Sequence, residues 1–251
     1  MKYQGLKFIS ISFSIATIVF LFGFKNEKNN SQITDNQGIA VLQLFTSEGC
    51  SSCPPADDIL RKYANQDNIF ALSYHVTYWN RLGWADLFSQ KQFDNLQYSY
   101  GENFRLSSVY TPQIVVNGNS EAVGSSENKI ANIVNTALAK AAKNTILLEK
   151  SIKNNEITFK FNIKGDISKN AILNFELIES NLSTKVKRGE NEGKTLLHDN
   201  VVRSEKTLKA TEKGEITFEI DPTWKKENCA IIVFIQDSNL GQINGASKLV
   251  F

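Results

Sequence analysis

The stretch "FTSEGCSSCPPADD", residues 45–58, sets two cysteines two residues apart and follows them at once with two prolines. An apolar run of strand length, "IAVLQLFT" (39–46), leads into it. A segment with Ile59, Leu60 and Tyr63 at helical spacing leads out of it. The dithiol therefore sits at a strand-to-helix junction. Proline cannot donate a backbone hydrogen bond and suits the first turn of a helix, while the residue before it is steered away from helical angles. This predicts an N-cap near Ser51 or Ser52 and regular helix from about Pro55.

The next elements follow from period and turn chemistry. "IFALSY" (69–74) is a second buried strand, and strand–helix–strand in so short a span implies a parallel pair with a right-handed crossover. Residues 76–108 form a polar and aromatic insertion. Within it, Ser89 and Gln92 offer a capping box for a helix carrying Phe93, Leu96 and Tyr100. "QIVVNGNSEAV" (113–123) reads as a hairpin turning at Asn117-Gly118, and a helix capped at Ser125 or Ser126 carries Ile130, Ile133 and Val134. The order β-α-β, helical insertion, β-β-α is that of a thioredoxin fold.

From about Thr145 the apolar period becomes two. Runs such as "EITFKFNI" (156–163) and "EITFEI" alternate, and "CAIIVFIQ" (229–236) is apolar on both faces, as in a central strand. The expected fold class is an α/β thioredoxin-like domain, 38–144, followed by a small all-β sandwich-like domain, 145–251.

Ahead of both lies "FISISFSIATIVFLFGF" (8–24), uncharged and preceded by Lys2 and Lys7. Residues 1–24 read as a signal peptide or an N-terminal membrane anchor, and residues 25–37 as a polar linker. The expected location is the periplasm or the exterior, with membrane attachment through 8–24 as the alternative to cleavage. The 251 residues are 41% hydrophobic and 22% charged, an ordinary globular balance with no concentrated basic footprint for nucleic acid. Loss of residues 1–24 takes the formal charge from +2 to zero.

A Cys-x-x-Cys pair can be a metal site, a structural staple or a redox-active dithiol. Structural zinc needs about four ligands. Beyond Cys50 and Cys53 the chain has only Cys229, His75 and His198, in different predicted elements. Copper(I) finds no thioether, since Met1 is the only methionine. A structural staple closing so small a loop restrains little chain entropy. A redox-active pair fits best: Cys50 as the attacking sulfur, favoured as thiolate by the helix dipole, and Cys53 as the resolving one. No metal and no cofactor are expected. The partners would be protein or small-molecule thiols and disulfides.

Thr111-Pro112 stands directly before "QIVV", where a cis-proline facing the dithiol belongs in such folds. His75 closes the second strand near the same sheet edge and is a candidate proton relay, against a purely structural role. Thr111, Tyr78 and Trp79 are weaker candidates for a substrate groove. Asp57 and Asp58 read as solvated first-turn acids, and "RGENEGKTLLHDN" (188–200) as a solvated inter-strand loop. Cys229 reads as a buried, unreactive thiol.

Together, "LFTSEGCSSCPPAD", "HVTYWNRLGWADLFS", "RLSSVYTPQIVVNG" and "RGENEGKTLLHDNVVR" resemble the secreted bacterial family known as domain of unknown function 1223, across most of residues 39–249. The resemblance implies an exported protein with a thioredoxin-like domain and no established reaction. It carries over only Cys50, Cys53 and Pro112 as site positions. The functional expectation is a cell-envelope thiol-disulfide oxidoreductase. The alternative is a non-enzymatic secreted binding protein with a structural disulfide.

Overall fold

The computed structural model describes residues 1, 30–31 and 37–251. The segment expected to direct export or anchor the chain lies outside the described residues. Among those described, no helix is long and apolar enough to cross a membrane.

The strands are β1 (Asn30–Ser31), β2 (Ala40–Thr46), β3 (Ile69–His75), β4 (Gln113–Val116), β5 (Ser120–Val123), β6 (Thr145–Lys153), β7 (Glu156–Lys164), β8 (Ile172–Glu179), β9 (Leu182–Lys185), β10 (Thr195–His198), β11 (Val201–Lys209), β12 (Lys213–Glu219), β13 (Cys229–Gln236) and β14 (Ile243–Val250). The helices are α1 (Pro54–Tyr63), α2 (Lys91–Asn103) and α3 (Glu127–Leu138).

The local sequence of elements up to α3 is the expected one. β2 and β3 pair in parallel, and β4–β5 form a hairpin whose turn places Asn117 and Gly118 at positive φ. Helix starts differ in detail. α1 begins at Pro54 with Cys53 as N-cap, because the Cys53 carbonyl already accepts from the N–H groups of Ala56 and Asp57. α2 begins at Lys91 with no side-chain cap, so the Ser89–Gln92 box does not form.

The fold class differs from the expectation. The protein is mostly β and is not an α/β thioredoxin-like domain followed by a separate sandwich. One sheet of nine strands, in the order β1-β14-β13-β8-β11-β3-β2-β4-β5, runs through both halves of the sequence. The join is β11 beside β3, with Val201 opposite Ser73 and the Ser73 N–H donating to the Asn200 carbonyl. The physical reason is the open edge of β3. A buried apolar strand presents unpaired backbone groups there, and β11 satisfies them where solvent cannot.

Packing follows the sheet's two faces. On one face a single core runs from Phe45, Tyr74 and Val115 to Ile178, Ile232 and Phe234, covered by Phe93 and Tyr100 of α2. On the other face α1 and α3 cover β2, β3 and β4. Further along that side, the three-stranded sheet β12-β7-β6 covers β8 and β13. Alternation in β13 explains its two-sided apolar run: Ile231, Val233 and Ile235 face one core, Ala230, Ile232 and Phe234 the other. Sheet-on-sheet packing thus exists in the second half, but its larger sheet is shared with the first.

Candidate functional site

Cys50 and Cys53 are joined in a disulfide at the carboxyl end of β2, with Cα atoms 5.4 Å apart. A tight backbone turn precedes α1: the Cys50 N–H donates to the Ser47 carbonyl, and the Cys53 N–H to the Cys50 carbonyl. Ser51 and Ser52 are exposed, but both cysteines are fully buried.

The cover comes from two sides. Trp79 packs on Gly49, and its indole N–H donates to Thr111 Oγ1 at 2.7 Å. The Thr111-Pro112 peptide bond is cis, and Pro112 and Ala56 of α1 both lie against Gly124. The Tyr78 hydroxyl donates to Gln97 and also lies close to Thr111. Thus Thr111, Pro112 and Trp79 gather about the disulfide end of the sheet.

The second side comes from residues 188–194, read from sequence as a solvated loop. Asn191 is fully buried, and its Nδ2 donates to the carbonyls of both Glu48 and Cys50 at 2.9 Å. Glu190 accepts from the Ser51 N–H at 2.9 Å, and the Ser51 hydroxyl together with that N–H holds its carboxyl below the usual carboxylate range. Positive-φ glycines, Gly189 and Gly193, bracket this clamp. The loop is mostly exposed, as expected, but composition could not show that one of its polar side chains, Asn191, is buried and bound to the turn around Cys50.

Beneath the turn is a buried polar cluster drawn from five segments. His75 at the end of β3 bonds Asp86 through Nδ1 at 2.8 Å, and Asp86 also accepts from the N–H groups of Glu48 and Phe88. Burial alone would raise the Asp86 carboxyl. The His75 charge and hydrogen bond, with the two N–H donors, hold it below its ordinary value. With Nδ1 engaged, His75 Nε2 is free of protein partners. His198 of β10 stands edge-on to His75, ring centres 5.0 Å apart, and Phe88 packs on both rings. Glu48 lies between, accepting from Trp84 Nε1 at 2.7 Å, with its other oxygen 3.3 Å from His198 Nε2.

Asp57 completes the cluster from the first turn of α1. Its Oδ1 is shielded and unpartnered, and burial pushes its carboxyl up to about 7 against the opposing pull of His198. Its neighbour Asp58 is exposed and pairs with Arg61. The two adjacent acids therefore differ completely, since successive helix residues point 100° apart.

Among the described residues, no group of three or more His, Cys, Asp or Glu side chains is placed to hold a metal ion. Cys229 is buried in β13, and burial pushes its thiol up to about 11. Sequence reasoning singled out His75 but missed Glu48, Asp57, Asp86, Glu190, Asn191 and His198 as neighbours. The one available signal was that the four blocks carrying the family resemblance contain all six.

The chain belongs to the family described as "Protein of unknown function (DUF1223)", whose pattern matches residues 41–236. No curated protein matches the sequence. Two solved structures share the fold. Protein AGR_C_4864 from Agrobacterium tumefaciens is 24% identical with a TM-score of 0.63, covering 85% of this chain and 95% of its own. HBP35 of Porphyromonas gingivalis is 18% identical with a TM-score of 0.63, covering 87% of this chain and 77% of its own.

Proposed function

We propose that this protein is a thiol-disulfide oxidoreductase acting through Cys50 and Cys53. One observation carries the reading: the disulfide stands at a helix start whose first turn holds a buried carboxyl, Asp57, which burial pushes up to about 7. Reversible proton transfer requires a group of that kind.

The exchange is balanced in thiols. An incoming thiolate attacks Cys50 Sγ, forming a mixed disulfide, and the Cys50–Cys53 bond breaks. Cys53 leaves as thiolate and takes a proton from the Asp57 carboxyl. In reverse, Asp57 carboxylate takes the Cys53 thiol proton, and the new thiolate attacks Cys50 to release the partner's thiolate. The incoming thiol is oxidised and Cys53 reduced. His198 balances the charge on Asp57, while Asp86 and Glu48 hold the two imidazoles. Pro112, Thr111 and Trp79 shape the binding edge. Access to Cys50 requires the 188–194 clamp to swing from Ser51.

Partners in this reading are protein or small-molecule thiols and disulfides of the cell envelope. Export or anchoring through residues 8–24 belongs to the same proposal, and cell fractionation tests it. Reductase and oxidase assays on wild type and Cys50→Ser test the chemistry. Wild type is expected to turn over a disulfide substrate and the variant to lose that turnover. Equal rates would sink the proposal.

Burial of both cysteines favours a second reading, a binding protein in which the disulfide only holds the turn. The reduction potential separates the two. A value below about −300 mV supports the staple, and a higher one supports exchange.

A further inference from the structure

A second site lies at the opposite end of the sheet from the disulfide. A cavity of about 530 Å³ opens between α3, the β4–β5 turn and the start of β14. That volume lies within the range of small-molecule pockets, roughly 300–1,000 Å³. Its floor is apolar, built from Ile39, Ile133 and Ile243.

Three amines line its rim: Lys129 on α3, and Lys140 and Lys143 just beyond the helix. No carboxylate lines the cavity among the described residues. Among those residues none of the three lysines forms an ion pair, whereas Lys62 of α1 is matched to Glu127 at the start of α3. The floor is rigid as well. Asn117 spends both ends of its amide on the backbone of Ile39 and Val41, so the pocket is already shaped without an occupant.

An apolar floor ringed by unmatched amines selects one chemical class. An apolar body is rewarded by burial on the isoleucines, and a carboxylate or phosphate group by charge-assisted hydrogen bonds to the ammonium groups. Lys129 and Lys140 are eleven residues apart, about 16 Å along a helical path, so one anionic group meets only the Lys140–Lys143 end. We infer that this cavity binds a small amphiphilic anion, with its apolar part on Ile39, Ile133 and Ile243 and its anionic group beside Lys140 and Lys143. The inference does not depend on the disulfide chemistry.

The probe is 4-phenylbutyrate, compared with 4-phenylbutylamine of the same apolar body and opposite charge. Calorimetric titration of the full chain is expected to show saturable 1:1 binding of the carboxylate, at least tenfold tighter than of the amine. Methyl NMR shifts should centre on Ile133 and Ile243. Charge reversal in Lys140→Glu/Lys143→Glu, at two exposed positions, should weaken the carboxylate at least tenfold. Ala137→Trp should block both probes by filling the floor. Equal affinity for the two probes, indifference to the charge reversal, or no saturable carboxylate binding at millimolar concentration would each overturn the inference.

Discussion

Asp57 and Asp58 are chemically identical, adjacent, and placed in opposite roles by one step of helix rotation. The buried one has a consequence for stability. Its folded-state carboxyl titrates at about 7 against an ordinary 3.8, so the folded protein holds this proton more tightly than the unfolded chain. Stability from this group is fully present below about pH 4 and is lost as pH rises through 7. Glu176 acts in the same direction, raised by burial and by Glu205 opposite it on β11. Asp86 acts oppositely, but its change falls below the ordinary carboxylate value and leaves pH 4–8 clear. Urea unfolding is therefore expected to show stability declining from pH 4 to 8. Asp57→Asn should flatten that decline and raise stability at pH 8 by about 1–3 kcal/mol. An unchanged slope in the variant would show that Asp57 does not hold a proton in the folded state. His75 is the residue whose location was legible early. It ends β3 as expected, but its partner Asp86 lies in the insertion, and ten intervening residues hide the pairing from any local pattern.

At the level of elements, the clamp at 188–194 ties the second half of the chain to the turn around Cys50. Asn191 is the shared donor to two buried carbonyls in the turn around Cys50. Asn191→Ala leaves those acceptors without it, at a cost of about 2 kcal/mol. The same variant should speed reduction of the Cys50–Cys53 disulfide by dithiothreitol several-fold, followed by thiol alkylation with time. Loss of stability with no change in reduction rate would mean that the clamp braces the turn without guarding the sulfurs. The strands themselves were readable where one force dominates. Alternation in β7 and the Asn117-Gly118 turn follow from burial on one face and from tolerance of positive φ. Helix entry at Pro54 was less readable, because backbone hydrogen bonds to the Cys53 carbonyl outweigh the steric preference of a residue before proline.

The whole molecule is organised by one sheet that ignores the change of period at residue 145. Tyr74 and Phe45 from the first half share a core with Ile178, Ile232 and Phe234 from the second. Asn191 brings a second-half side chain onto the turn around a first-half disulfide, and His198 brings another onto His75. A fragment of residues 37–144 would expose that core and the β3 edge together. It is expected to lack cooperative thermal unfolding and near-ultraviolet circular dichroism, whereas the full chain has both. A fragment that unfolds cooperatively would show the first half to be self-sufficient.

The sequence by itself determined what depends on neighbours along the chain: the strand-to-helix position of the dithiol, the β-α-β start, the alternating strands and the family. Those follow from side-chain period, turn residues and motif spacing, all local quantities. Only the tertiary structure decided that β11 pairs with β3, that the two halves share a sheet, and that Asp57, His75, Asp86 and His198 meet beneath Cys50. Such meetings depend on which strand edges find each other across more than a hundred residues. Strand edges expose the same backbone groups whatever their side chains, so the sequence does not mark their partners.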